Sequence, residues 1–268
     1  YRPRLTRLGD IVNSTPVYVK DSLDMNYQLL PSAVPGASSY RTFFGLKQAR
    51  AEGVIFVGGN DGMLHAFRDG TSDPVTLAPL TPGGIEVFAY VPHAVLGTLN
   101  QLADKAYVHR YYVDGPLSEH DAYISGTWRN IVIGTTGAGA GIASSAGSSP
   151  RAGVFAIDVT GINTSPANIT ASNVIWEVNS SQAAFAELGH VLTDVQSGIA
   201  LDGTWIAIFG NGYESKSCTA RLFVVNMATG ALIREINTGS GACSAGNRNG
   251  LGGIRVVRNA TQQVIGVY

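Results

Sequence analysis

Charged residues are scarce in this chain, and it contains no long apolar run. Asp, Glu, Lys and Arg make up 14% of the 268 residues, and the formal net charge is −1. A protein this close to neutral has no general attraction for nucleic acid or anionic lipid, so we expect neither as a partner. No run of 18 apolar residues occurs, so we expect no membrane-spanning helix.

Cysteine is also scarce, since Cys218 and Cys243 are the only two in the chain. Cys218 precedes the apolar run 222–225, Cys243 follows the apolar run 232–236, and residues 227–230 read as the turn between them. Both cysteines then fall near the open end of one hairpin. We therefore predict a disulfide, which implies export to an oxidising compartment, with two unpaired thiols as the alternative.

Glycine and apolar residues are abundant instead, with 33 Gly and 45% apolar residues. This composition is typical of strands and turns rather than of surface helices. In VIFVGGNDGMLHAF, residues 54–67, two apolar runs flank Asn60, Asp61 and Gly62. These three residue types tolerate positive φ, so the pattern predicts a β-hairpin.

The hairpin recurs along the chain. Runs 130–134 and 153–158 form a second pair, and runs 205–210 and 221–226 form a third, in which Asn211 and Gly212 begin the connection. Each second run of a pair ends in a similar turn, marked by Asp158 and Gly161 in one case and by Gly230 in another. A further apolar strand follows each turn, at 86–90, 174–178 and 232–236. A glycine-flanked segment precedes each unit, at 9–16, 189–198 and 252–257, whereas the first strand of the middle unit is least clear and falls within 107–124. The sequence thus predicts a four-stranded unit repeated three times, with a fourth unit begun near Gly252.

Repeated four-stranded meanders are typical of an all-β propeller, and a β-sandwich of the same strands is the alternative. We place the blades at 9–91, 107–179 and 187–238, with the next blade starting at 250–268. About three and a half blades are too few to close a ring. We therefore expect the chain to be part of a larger ring and a processed piece of a longer protein. One short inserted helix is predicted near 93–104, because its apolar residues fall on one stripe.

The connection between the second and third strands grows from a bare turn in the first unit to a loop, 135–151, in the second. Loops in the same position of successive blades emerge on one face, and variable loops on a rigid scaffold often form a recognition surface. The candidate recognition residues are Thr135, Arg151, Tyr213 and Lys216. The Gly/Ser-rich composition of 135–151 also suits a mobile spacer.

Motifs of catalysis and metal binding are missing from the sequence. There is no HExxH pattern, no Cys/His quartet, no nucleophile elbow and no phosphate-binding loop, so we expect no enzyme, no cofactor and no metal site. His120 and Asp121, with Asp114, could be drawn as a catalytic group. We interpret them as a polar surface loop.

Several stretches in order along the chain resemble the C-terminal propeller of the PilY/PilC family of type IV pilus tip-associated adhesin and biogenesis proteins. They are LGDIVNSTPV at 8–17, VGGNDGMLHAF at 57–67, YYVDG at 111–115, FAIDVT at 155–160, FGNGY at 209–213 and NGLG at 249–252. The resemblance implies a non-enzymatic protein exported through the periplasm to the pilus tip or outer membrane. It also implies roles in pilus biogenesis, retraction control, twitching motility and adhesion to a host or abiotic surface, with minor pilins and the pilus tip complex as partners.

Some members of the family bind calcium in an Asp-rich loop of the blade that begins near Gly252. The matching stretch here, residues 256–264, contains no carboxylate. Calcium prefers a set of charged and carbonyl oxygens, so we expect this site to be lost.

Two other functions fit the same repeat. The turn at 156–161, followed by Trp176, also resembles the blade motif of quinoprotein dehydrogenases, which implies bound pyrroloquinoline quinone and calcium. The other alternative is a structural subunit that primes the pilus without a receptor, since it needs the same scaffold as an adhesin.

Overall fold

The computed structural model describes Thr6 and residues 8–139, 152–163, 169–244 and 247–268. Three four-stranded antiparallel sheets dominate these residues, and their strands follow one another as meanders. The all-β, propeller-type fold predicted from the repeats is therefore confirmed. Each sheet lies within one predicted blade interval, whereas the blade boundaries themselves stay a prediction.

Sheet 1 begins with three strands and is completed after a small hairpin. Its first three strands are β1 (Val17–Val19), β2 (Val54–Gly58) and β3 (Leu64–Arg68). A separate small hairpin of β4 (Thr71–Ser72) and β5 (Pro79–Thr81) follows. The fourth strand of the sheet, β6 (Ile85–Tyr90), then pairs with β3. The predicted turn at Asn60 joins β2 to β3, with Val57 opposite His65 in the register.

Sheets 2 and 3 repeat this order without a small hairpin. Sheet 2 contains β7 (Leu117–Ile124), β8 (Thr127–Thr135), β9 (Gly153–Asp158) and β10 (Val174–Asn179). Sheet 3 contains β11 (Gln196–Ile199), β12 (Trp205–Gly210), β13 (Arg221–Asn226) and β14 (Leu232–Asn237). Two short hairpins follow: β15 (Cys243–Ser244) with β16 (Asn247–Arg248), and β17 (Val256–Arg258) with β18 (Val264–Val267).

The first strands of successive sheets lie side by side, since β1 contacts β7 and β7 contacts β11. The fourth strands form the opposite edge of each sheet, and β14 has four exposed residues out of six. The central strand β12, by contrast, is buried at every residue. Apolar runs of this kind are expected where a strand is covered on both faces by neighbouring sheets.

The predicted helix near 93–104 is present in a shorter form. α2 spans His93–Leu96, and a 3₁₀ turn at Leu99–Ala103 follows it. The carboxylate of Glu177 in β10 accepts hydrogen bonds from the backbone N–H groups of His93 and Ala94, each at 2.7 Å. An acidic group at a helix N-terminus satisfies free N–H groups, so α2 fastens sheet 1 to sheet 2.

A second helix, α1 (Tyr40–Gln48), was not predicted. Its buried residues are Tyr40, Phe43, Phe44 and Lys47. This spacing has the helical period, but its last position carries a lysine instead of an apolar residue. The charge interrupts the apolar stripe, and the sequence therefore reads as a loop.

The main core lies between α1 and sheets 2 and 3. Tyr27, which precedes α1, is fully buried, stacks on Trp128 at 5.7 Å and meets the edge of Trp205 at 4.8 Å between ring centroids. Aromatic pairs at these distances add to the stability gained from buried area. The segment between β1 and β2, which contains Tyr27 and α1, therefore forms part of the core that it shares with sheets 2 and 3.

The predicted disulfide between Cys218 and Cys243 is confirmed. Cys218 is fully buried in the connection between β12 and β13, and Cys243 begins β15. The bridge joins this connection to the segment that leaves β14. No helix among the described residues is long and apolar enough to cross a membrane.

Candidate functional site

The connections between second and third strands share one face with the stretches that precede each first strand. We call these stretches the lead-in segments and define them as residues 8–16, 105–116, 189–195 and 249–255. Ser14 lies beside the end of β2, where its Oγ accepts a hydrogen bond from the N–H of Gly58 at 2.9 Å. In sheet 3, His190 pairs through its backbone with Tyr213. Of the candidate recognition residues, Thr135, Tyr213 and Lys216 belong to this face.

Three side chains on this face hold one sheet to the next. The Asn60 Oδ1 accepts from the Tyr112 N–H at 3.0 Å, and the Asn211 Oδ1 accepts from the Leu251 N–H at 2.8 Å. Between them, the Thr135 hydroxyl donates to the backbone oxygen of Val191 at 2.8 Å. Each contact runs from the connection of one sheet to the lead-in segment of the next. These polar groups are buried and occupied, so they serve the scaffold.

Asp61 anchors the first lead-in segment. Its Oδ2 accepts from the Gly9 N–H at 2.6 Å, while its Oδ1 lies 3.1 Å from the His65 Nε2. Burial raises the pKa of Asp61, but the hydrogen bonds to His65 and Gly9 outweigh it and the pKa ends below its usual range. The Nδ1 of His65 contacts Glu86 at 2.6 Å, so both ring nitrogens face carboxylates.

The remaining predicted turn residues also have internal roles. The Asp158 Oδ1 accepts from the Thr160 N–H at 2.9 Å, and its Oδ2 pairs with Arg129 at 2.8 Å. Gly62, Gly212 and Gly230 adopt positive φ angles of 94°, 70° and 69°, which favour glycine. Gly161 lies in the turn that follows Asp158.

The four candidate recognition residues do not form one exposed group. Thr135 is fully buried, and Arg151 lies outside the described residues. Tyr213 is 49% exposed and Lys216 is exposed, both in the connection that contains Cys218. The Nδ1 of His190 contacts the Gly137 backbone oxygen at 2.9 Å, which brings the start of loop 135–151 beside Tyr213.

The lead-in segments also present apolar side chains that the sequence did not single out. Val12 is 53% exposed, Val108 is 75% exposed and Leu192 is 44% exposed. Asp10 and His109 join the first two segments through a contact of 2.8 Å. An irregular segment has no period that separates inward from outward positions, so only the structure shows this exposure.

Beside Leu192 lies an open groove of about 560 Å³, which Asp194, Arg255 and Tyr268 also line. Its lining combines the carboxylate of Asp194 and the guanidinium of Arg255 with the apolar side chains of Leu192 and Ile254. A surface of this composition suits a protein partner with both apolar and charged side chains.

The interpretation of His120 and Asp121 as a surface loop is wrong. Both residues lie in β7 and are buried. The two ring nitrogens of His120 contact the hydroxyls of Ser118 and Ser197, each at 2.8 Å. Burial, aided by the positive charge of Arg258, lowers the pKa of His120 to about 4. Asp114 is also buried and accepts two hydrogen bonds from Asn13.

The residues of the 256–264 stretch do not fit a calcium ion. Asn259 turns the chain between β17 and β18, and its Oδ1 already accepts from the N–H groups of Thr261 at 3.0 Å and Gln263 at 2.9 Å. The stretch provides no carboxylate. Across the described ranges, no group of three or more His, Cys, Asp or Glu residues is placed to hold a metal ion.

Three comparisons relate the chain to known proteins. The family model of the PilY1 β-propeller domain matches residues 8–267. A type IV pilus biogenesis factor PilY1 homolog of Xylella fastidiosa is 39% identical over 266 residues, which are 96% of this chain and 16% of the relative. The type IV pilus biogenesis factor PilY1 of Pseudomonas aeruginosa PAO1 is 32% identical over 268 residues, which are 98% of this chain and 20% of the relative.

The crystal structure of the Pseudomonas aeruginosa PilY1 C-terminal domain is similar in fold as well as in sequence. Its TM-score is 0.63 at 29% identity, and the match covers 92% of this chain and 41% of that one. The chain spans a fifth or less of the length of the curated relatives described above.

Proposed function

Since the chain belongs to the PilY1 β-propeller family, we propose that it is the non-enzymatic propeller of a type IV pilus biogenesis factor. The observation that carries this proposal is the family match over residues 8–267, together with relatives named as type IV pilus biogenesis factors. The resemblance noted in the sequence is confirmed by the same match.

The geometry supports a scaffold that presents a recognition face. Asn60, Thr135 and Asn211 are used between sheets, whereas Tyr213 and Lys216 remain exposed on the same face. Two of the histidines, His65 and His120, have both ring nitrogens engaged internally. A general base needs a free nitrogen within reach of its substrate, so these two rings do not provide one.

The finer roles follow from family membership and from this face. In the proposal, the protein is exported, joins minor pilins in the tip complex, opposes retraction and attaches the pilus to a host or abiotic surface. The lead-in segments and the connection that contains Tyr213 make the contact. Aromatic side chains are enriched at protein interfaces, which favours Tyr213 as a contact residue.

The role in biogenesis is tested by deleting the gene in the bacterium that makes the protein and restoring it with the full-length wild type. We expect the deletion strain to lose sheared surface pilin and the restored strain to regain it. If pili also return when the deletion strain cannot retract them, the protein opposes retraction. Normal piliation of the deletion strain would reject the proposal.

Attachment is tested separately with full-length Tyr213→Ser/Lys216→Ser. We expect normal amounts of pili and reduced attachment for each pilus. Arg234→Ser is the matched control, because Arg234 is exposed on β14, away from this face. Unchanged attachment by the double variant would remove the recognition role of these two residues and leave the biogenesis role standing.

A further inference from the structure

A lysine, two acids, a tyrosine and an asparagine meet inside the protein where α1 packs on sheet 2. We call Lys47, Glu119, Asp121, Asn130 and Tyr40 the Lys47 cluster. The side chain of Lys47 is 1% exposed and that of Asp121 is 0% exposed. Lysine and aspartate are rarely buried so completely, and burying their charges is costly.

The amine of Lys47 lies against both carboxyl groups. Its Nζ is 3.0 Å from the Asp121 Oδ1 and 3.2 Å from the Asp121 Oδ2. The Glu119 Oε1 lies 3.1 Å from the same nitrogen. A nucleophile, a carboxyl carbon and a second carboxylate are therefore held together in a buried position, which is an arrangement that strongly favours reaction between bound groups.

The other two members orient the acids. The Asn130 Nδ2 donates to the Glu119 Oε1 at 2.7 Å and to the Asp121 Oδ1 at 3.2 Å. The Tyr40 hydroxyl donates to the Asp121 Oδ2 at 3.0 Å. A donor placed on a carboxyl oxygen stabilises the negative charge that develops there when the carbon is attacked.

The protonation of Asp121 fits the role of an electrophile. Burial raises the pKa of Asp121 to about 6, although Lys47 opposes the shift. A neutral carboxylic acid accepts an amine far more readily than a carboxylate does, because the attacking electrons do not meet a full negative charge. The raised pKa increases the fraction of this neutral form near neutral pH.

We infer that Lys47 and Asp121 form an intramolecular amide bond between Nζ and Cγ, with Glu119 carrying the proton. Nothing in the established family assignment requires this bond, and it does not depend on the proposed pilus role. The chemical class is an autocatalytic isopeptide cross-link, with no cofactor and no oxidant.

The reaction balances as a condensation. A proton passes from the Lys47 ammonium to the Asp121 carboxylate, and the neutral amine attacks Cγ after a turn of the carboxyl group about Cβ–Cγ. In the tetrahedral intermediate the negative charge rests on Oδ2, next to Tyr40. Glu119 takes a proton from the nitrogen and returns it to Oδ1, the C–Oδ1 bond breaks, and one water leaves. Lys47 also lines a cavity of about 250 Å³, which offers space for this water beside the reacting amine.

The bond would fix the inserted helix to the first strand of the next sheet. Lys47 lies in α1, which is inserted between β1 and β2 of sheet 1, whereas Asp121 lies in β7 of sheet 2. The buried ion pair already joins these two elements. An amide in its place removes both charges from the core and makes the connection covalent.

The test is a tryptic peptide map of the full-length protein purified from the bacterium and reduced. Trypsin releases the peptides 42–50 and 111–129, because Arg41, Arg50, Arg110 and Arg129 precede or end them. We expect one branched peptide, lighter than the sum of the two by one water, and no cleavage after Lys47. Recovery of the three linear peptides 42–47, 48–50 and 111–129, with normal cleavage after Lys47, would overturn the proposal.

The same map distinguishes the alternative partner in the cluster. A branched peptide that joins 42–50 to the peptide beginning at Asn130, lighter by one ammonia, would overturn the assignment to Asp121. We expect Glu119→Gln to yield linear peptides, since the proton carrier is lost, and Lys47→Arg to do the same while keeping the positive charge. A branched peptide in Glu119→Gln would contradict the role of Glu119. A bond from Lys47 to Glu119 would give a branched peptide of the same mass, because Glu119 and Asp121 lie in the same tryptic peptide. Fragment ions of the wild-type branched peptide must therefore place the branch on Asp121, and a branch on Glu119 would overturn the proposal.

Discussion

Single side-chain amides and hydroxyls connect the sheets of this protein. Asn60, Thr135 and Asn211 lie at or just after the end of the second strand in successive sheets and reach the lead-in segment of the next sheet. A buried N–H without a partner costs more than a hydrogen bond contributes on average, so these contacts matter most when one partner is removed. The repeat of the interaction explains why a polar residue stands near the end of the second strand in each sheet.

Removal of one such side-chain amide should weaken the contact between the sheet that carries it and the next lead-in segment. In Asn211→Ala, the part-buried N–H groups of Arg221 and Leu251 lose their acceptor. We expect the free energy of unfolding to fall by about 3 kcal/mol, measured by denaturant titration. Asn237→Ala is the control, because Asn237 is exposed and its side chain holds only Gly239 nearby, so its effect should stay within about 0.5 kcal/mol. Equal effects of the two variants would contradict this role for Asn211.

The buried histidine of β7 should make stability depend on pH. The pKa of His120 falls to about 4 in the folded protein, because of burial and then Arg258, whereas it is about 6.5 in an unfolded chain. Between these values the unfolded state binds more protons, so this group costs stability as the pH falls. At a pH well below both pKa values, the shift lowers the free energy of unfolding by about 3 kcal/mol. His120→Gln should show a smaller loss of melting temperature from pH 6.5 to pH 4 than the wild type, and the exposed His93→Gln should behave as the wild type does.

At the scale of strands and turns, the turn between β13 and β14 packs against the neighbouring sheet. Trp176 in β10 donates its indole N–H to the Met227 backbone oxygen at 2.7 Å. A Cβ on Gly230 would lie 2.8 Å from the Cβ of the same tryptophan. The turn sequence therefore serves both the local chain reversal and the contact between sheets 2 and 3.

These two demands on Gly230 can be separated by substitution. Gly203 also has a positive φ angle, 87°, but has open space around it. Gly203→Ala should therefore cost about 1–2 kcal/mol through backbone strain alone. Gly230→Ala should cost a further 1–3 kcal/mol, roughly, because Trp176 must shift. Thermal or denaturant unfolding of both variants measures the difference, and an equal loss would show that the packing at Trp176 has no effect.

The sequence predicted elements better where they repeat than where they occur once. The three meanders were visible because apolar runs and turn residues return in the same order. α1 was missed because Lys47 interrupts its stripe, and His120 was misplaced because polar residues in β7 read as a loop. In both cases the polar group finds its partner on a distant part of the chain, which local patterns do not reveal.

For the whole molecule, the shared core and the contacts between sheets predict cooperative unfolding. Trp128 of sheet 2 and Trp205 of sheet 3 meet at 5.4 Å between ring centroids, and Tyr27 contacts both. Tryptophan fluorescence therefore reports on the boundary of sheets 2 and 3, whereas far-ultraviolet circular dichroism reports on all strands. We expect both signals to change in one transition at the same temperature. Separate transitions would show that the sheets unfold independently.

The sequence by itself predicted the repeat, the hairpin turns and the disulfide between Cys218 and Cys243. These features depend on neighbouring residues and on apolar periods, both of which are local. Only the tertiary structure decided which polar residues are buried, since burial depends on what another sheet or helix places opposite them. For this reason the exposure of the lead-in segments and the Lys47 cluster became visible only in the folded chain.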